Sequence, residues 1–155
     1  MKRIVFILAV VFTLNVSAQQ KGTLDYLDKY CGIYPVMLND SITKHMKVLT
    51  PIGKIEKSNT LCALDEDYCV LNTANLLEVK VKFINYLATN IIFFVSPTFK
   101  KDCLEELTKL YGEPEQDGDK YTWKSKNCVL MYETNPADFP GKAIGLFFRR
   151  ADLED

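Results

Sequence analysis

The chain has 155 residues, 19 Lys+Arg against 20 Asp+Glu, one His, five Cys and 48% hydrophobic residues. Those numbers fit one ordinary globular domain and exclude a disordered chain, which carries less apolar sequence and more net charge. They also exclude the basic surplus of a nucleic-acid binder and any metal site built from several histidines.

Residues 1–20 read as a secretory leader. Met1-Lys2-Arg3 is basic, residues 4–14 are apolar apart from Thr13, and Asn15-Val16-Ser17-Ala18 ends in small residues. Charged start, apolar run and small-residue cleavage site are the order of a signal peptide. Cleavage is expected after Ala18, removing 1–18 and leaving 19–155 as a single domain. The apolar run is shorter than the ~20 residues a membrane span needs, so no stable membrane insertion is expected after cleavage. Loss of Lys2 and Arg3 leaves 17 basic and 20 acidic residues, a net charge of −3. A periplasmic or secreted destination follows.

Residues 23–31 predict a short helix, with Leu24, Leu27 and Cys31 on one face and Gly32 to end it. The apolar stretch 33–38 is broken by Pro35, which suits an edge strand. Asn39-Asp40-Ser41 can accept from the free N–H groups of a first helical turn. Ile42, Met46 and Leu49 then fall on one face, predicting a helix near 41–49 that Pro51 stops. Residues 61–64 and 68–71 read as a hairpin about Asp65-Glu66-Asp67. Over 78–83, Val79, Val81 and Phe83 alternate with Lys80 and Lys82, as in a strand with one wet face. The run Ile91-Ile92-Phe93-Phe94-Val95 predicts a central strand covered on both faces.

Ser96-Pro97-Thr98 starts the clearest helix, 97–111, because proline suits a first turn. Phe99, Cys103, Leu107 and Leu110 make its apolar stripe, Gly112 its end, and Pro114 bars continuation. Strands are then expected at 121–124, 127–133 and 143–148, with a loop at 134–141 and a charged tail from 149.

Cys31, Cys62, Cys69, Cys103 and Cys128 all follow the leader. Export permits disulfides, and an odd count leaves at least one thiol unpaired or bonded to another chain. With a four-residue loop the predicted hairpin sets Cys62 opposite Cys69; a three-residue loop would set Cys62 opposite Val70. Directly opposed strand residues have Cβ atoms ~4.5–5.5 Å apart against the ~3.8 Å a disulfide wants. A Cys62–Cys69 bridge is one reading; two free, buried thiols is the other.

The order helix-then-strands occurs twice, giving a pseudo-repeat over 33–95 and 96–149. The expected class is α+β: an antiparallel sheet with helices packed on one face, built from two helix-then-strands units in tandem. The stretches Leu27-Asp28-Lys29-Tyr30-Cys31-Gly32-Ile33 and Met37-Leu38-Asn39-Asp40-Ser41-Ile42 resemble the opening of small exported proteins of Bacteroidota. Leu104, Leu107 and Tyr111-Gly112 with Pro114, and Trp123 beyond them, add to that resemblance. The tandem plan is similar to that of beta-lactamase-inhibitor-protein-like domains. The resemblance implies a protein-binding or envelope role and carries no catalytic residue over.

Chemistry is sparse. His45 follows Ser41 by four residues, so the two could share a helical face, but no third member completes a catalytic set. Asp65-Glu66-Asp67 and Asp117-Gly118-Asp119 are acidic turns without the spacing of a calcium loop. No phosphate-binding, nucleophile-elbow or zinc motif occurs, so neither cofactor nor metal is expected. Tyr and Trp favour interfaces, which makes a sheet face carrying Tyr121 and Trp123, or the loop 134–141, the expected partner-binding surface. The reading is an exported, non-catalytic protein-binding module: an inhibitor, immunity or envelope-associated factor. Alternatives are a domain binding a small apolar ligand or lipid between helix and sheet and, behind it, an enzyme using a Cys with His45.

Overall fold

The strict alternation of Val79, Val81 and Phe83 with Lys80 and Lys82 places apolar side chains on one face of a strand, and that strand lies inside a wide sheet. The computed structural model describes residues 22–149. The expected leader, its cleavage point after Ala18 and the tail beyond 149 lie outside them.

In chain order the elements are α1 (Leu24–Lys29), β1 (Gly32–Ile33), β2 (Val36–Met37), β3 (Leu49–Pro51), β4 (Thr60–Leu64), β5 (Val70–Leu71), β6 (Ala74–Asn75), β7 (Glu78–Ile84), β8 (Leu87–Val95), α2 (Lys100–Tyr111), β9 (Glu115–Asp117), β10 (Lys120–Lys124), β11 (Cys128–Glu133) and β12 (Ala143–Arg149). Single turns of 3-10 helix occur at Ile42–His45, Glu66–Tyr68 and Pro97–Phe99.

Eight strands form one antiparallel sheet in the order β3-β4-β7-β8-β12-β11-β10-β9. Two four-strand meanders therefore meet at β8 and β12, their last strands. Both outer edges are blunt. β3 has three residues and includes Pro51, and β9 is Glu115-Gln116-Asp117, so neither offers a long apolar ladder to another chain.

Register sorts the side chains into two layers. Cys62, Val81, Ile91, Phe147, Leu130 and Trp123 stand side by side across six strands, facing the core. Phe93 and Tyr132 flank Gly145 in the next row. α2 covers this face, with Cys103, Leu107, Leu110 and Tyr111 turned inward and the Tyr111 ring edge-on to Phe147. α1 and the β1–β2 and β5–β6 ribbons complete the layer, and the buried side chains form one continuous core.

α2 forms where expected. Ser96 Oγ accepts from the Thr98 N–H at 3.3 Å, Pro97 opens the turn, and Gly112 ends the helix at φ +85°. The class is α+β with strands dominant: one antiparallel sheet and one main helix.

Two expected elements are absent. The helix near 41–49 is a single 3-10 turn, and Leu49 leaves it to pair with Leu64 in β3. Asp40 is the cause. Its carboxylate holds the Met37 N–H, the Lys44 ammonium and the His45 ring, which wraps the chain tightly, while Val48, Leu49 and Thr50 suit an extended edge. The hairpin over 61–71 also does not form. Asp65 N–H bonds to Val48 O, the 3-10 turn follows, and β5 pairs with β6 instead. Cys62 consequently faces Val81 and Pro51 across the sheet, not Cys69.

Candidate functional site

The second face of the sheet has no described helix or strand over it. One row across all eight strands reads Thr50, Ala63, Lys80, Ile92, Leu146, Met131, Thr122, Glu115. On either side of its centre lie Phe148 with Val129 and Phe94 with Ile144. The middle three strands β8, β12 and β11 thus carry contiguous apolar side chains, half-buried at Ile92, Ile144, Leu146, Phe148 and Met131 and buried at Phe94 and Val129, and charge surrounds them: Lys80 and Lys82 on one flank, Lys120, Lys124 and Glu133 on the other. A large apolar patch rimmed by polar groups marks an interaction surface.

The loop 134–142 borders this patch. Phe139 is 41% exposed and sets its ring 5.2 Å from that of Phe94, edge-on. Lys80 and Lys142 place their ammonium groups 5.4 Å and 5.8 Å from the centre of the Phe94 ring, attracted by its face. Between loop and sheet a groove of about 210 Å³ is lined by Met131, Pro136, Phe139 and Leu146 among others.

This is not the surface expected from Tyr121 and Trp123. Both stand on the covered side. Trp123 is 1% exposed, and its indole N–H donates to Gly112 O at 2.7 Å, so burial costs it no hydrogen bond. Tyr121 is half-buried beside Tyr132 and accepts from Gln116 at its hydroxyl. The signal for the actual patch lay in the strands that read as apolar on both sides. Residues 91–95 are central as expected, and 128–132 lie inside the sheet too, but described elements cover only one of their faces.

The cysteines are also rearranged. Cys31, just after α1, is bonded to Cys128 at the start of β11, with Cα atoms 6.3 Å apart. Cys62, Cys69 and Cys103 are free and buried, which corrects the Cys62–Cys69 pairing. Burial pushes all three thiols up, Cys103 to about 12. Hydrogen bonding at Cys69 and a contact with Tyr132 at Cys103 oppose the shift without reversing it. A nucleophile must be a thiolate and reachable, and none of these is.

His45 is buried rather than presented to solvent, and its Nε2 lies 2.8 Å from Asp40 Oδ2. Ser41 does not join it; its hydroxyl pairs with Thr43. Burial works to raise the Asp40 pKa, but hydrogen bonds from Lys44, the Met37 N–H and His45 outweigh it and hold the carboxyl below the usual carboxylate range. With its partners spent on the chain's own turn, the cluster ties the 37–45 segment together. The acidic turns form no cation cage, and among the described residues no three His, Cys, Asp or Glu side chains group as metal ligands. No described helix is long and apolar enough to cross a membrane. The comparisons with known proteins return nothing: no family model, no curated protein and no solved structure matches this chain.

Proposed function

We propose that this chain is an exported, non-catalytic module that binds a protein partner through the sheet face that no described helix or strand covers. The observation that carries the reading is the patch centred on Ile92, Leu146 and Met131, apolar over three adjacent strands and ringed by charge. Shape and chemistry match the centre-and-rim layout of protein interfaces. The Cys31–Cys128 bond supports an oxidising compartment, where such bonds persist. Buried, protonated thiols and a histidine committed to Asp40 support a non-catalytic role. An inhibitor, immunity or envelope-associated factor fits that description. A lipid buried between α2 and the sheet has less support, because α2 packs directly on the sheet there, Tyr111 edge-on to Phe147.

The test is site-specific photo-crosslinking in the full chain, in the envelope of the exporting cell. A crosslinker at Ile92, Met131 or Leu146 is expected to give one discrete protein adduct. The same group at exposed Ile55 or Tyr86 is expected to give none. Leu146→Lys should weaken the isolated complex by about 30-fold, the effect of losing a central anchor, and shift stability by less than about 1 kcal/mol. Adducts at all positions alike, or a complex indifferent to Leu146→Lys, would rule the surface out.

A further inference from the structure

On the covered side of the sheet an open cleft of about 300 Å³ lies among α1, the β1–β2 ribbon, the β5–β6 ribbon and the last turn of α2. Four tyrosines form its walls: Tyr26 in α1, Tyr30 after it, Tyr34 at the tip of the β1–β2 ribbon, and Tyr111 at the end of α2. The Tyr26 and Tyr30 rings are 4.5 Å apart, and Tyr26 and Tyr111 6.1 Å. Val70 and Asn72 close the other side. Tyr111 is 2% exposed, yet its hydroxyl has no hydrogen-bond partner among the described residues. No described side-chain polar atom is both sealed from solvent and unpartnered, so that hydroxyl keeps a small opening, and its residue lines the cleft. Buried phenols ordinarily find a partner; here the place for one is the cleft.

The lining narrows what the partner is. Among the described residues no charged side chain lines the cleft, so a phosphate or carboxylate would be stripped of water without compensation from them. A cation would seek the ring faces, but the Lys29 ammonium already lies 5.2 Å from the centre of the Tyr30 ring and would repel it. A neutral ligand remains, one with an apolar face to stack on tyrosine rings. Phenol hydroxyls both donate and accept, which suits sugar hydroxyls that do the same. A proline-rich peptide offers mainly acceptors and, rising ~3.1 Å per residue, needs a long groove rather than a compact cleft. We propose that the Tyr26–Tyr30–Tyr34–Tyr111 cleft binds a neutral saccharide unit, its C–H face on the tyrosine rings and one hydroxyl bonded to that of Tyr111.

The experiment titrates the full chain with cellobiose, maltose and chitobiose, read by saturation-transfer NMR. At least one is expected to bind saturably with a Kd near or below about 1 mM. Tyr34 is 73% exposed, so Tyr34→Ala leaves the fold intact and is expected to weaken binding about 10-fold or more. Tyr111→Phe removes one oxygen and is expected to weaken it about 5- to 10-fold, one hydrogen bond's worth. Leu146→Lys, on the opposite face, is expected to leave saccharide binding unchanged, which separates this site from the protein-binding surface. Failure of all three sugars would overturn the proposal, as would binding indifferent to both tyrosine variants. So would a decaproline peptide that binds in a Tyr34-dependent manner where the sugars do not.

Discussion

Gly145 sits in the middle of β12, where a side chain would ordinarily help pack the sheet. Its neighbour across the ladder is Phe93, whose ring lies over the glycine and stacks 6.2 Å from Tyr132 on the far side. A Cβ on Gly145 would be driven into that ring, which is fully buried and cannot retreat. Gly145→Ala is therefore expected to destabilise by about 1–3 kcal/mol or more, the cost of overpacking a filled core. Phe93→Leu in the same chain should recover part of the loss, because the smaller side chain vacates the site. Urea midpoints of the two single variants and the double variant measure this, and a neutral Gly145→Ala would mean that the ring does not cross the glycine. A glycine inside an apolar run announces a close approach, but only the register says which ring approaches. Trp123 teaches the same limit. Its type suggested an interface, and its indole found an acceptor at Gly112 that lies eleven residues away in the chain.

Among the elements, α2 was readable because its signals are local: Ser96-Pro97 at one end, Gly112 and Pro114 at the other, and an apolar stripe between. The alternation of 78–83 was equally local, and β7 lies where it was expected. The helix expected near 41–49 and the 61–71 hairpin were not readable, because Asp40 and Asp65 are good cap and turn residues in several structures at once. What decides is non-local: Leu49 pairs with Leu64, and Val81 takes the place beside Cys62. Asp40 then holds the 37–45 segment by three side-chain hydrogen bonds, one of them to Lys44 at 2.7 Å. Its folded pKa lies below the unfolded value near 3.8. The resulting stability is thus complete above pH 4 and is lost as acid protonates the folded carboxylate. Asp40→Asn is expected to cost about 1–2 kcal/mol at pH 7. The gap from the parent chain should close as pH falls toward 2. Chemical denaturation at a series of pH values tests this; a gap that stays constant from pH 7 to pH 2 would remove Asp40 as its source.

At the scale of the whole molecule, α1 and the β10–β11 turn, far apart in sequence, are fastened to each other. Asp28 in α1 accepts from Ser125 Oγ at 2.6 Å and from the Asn127 N–H at 2.7 Å, capping the β10–β11 turn. The Cys31–Cys128 bond lies beside that clamp and spans 97 residues of sequence. A cross-link over so long a loop removes much freedom from the unfolded chain, for about 2–5 kcal/mol of stability. Cys31→Ser with Cys128→Ser is therefore expected to lower the melting temperature by on the order of 10 °C. The variant should still fold, because the β-sheet core and α2 do not depend on the bridge. Thiol counting supplies the complementary check. The native protein should show no rapidly reacting thiol, and three should appear in denaturant, from Cys62, Cys69 and Cys103. Peptide mapping should join Cys31 to Cys128. A Cys62–Cys69 peptide, or a melting temperature unmoved by the double variant, would remove the staple from this account of how an eight-stranded sheet, with no described helix or strand over one face, stays closed on the other.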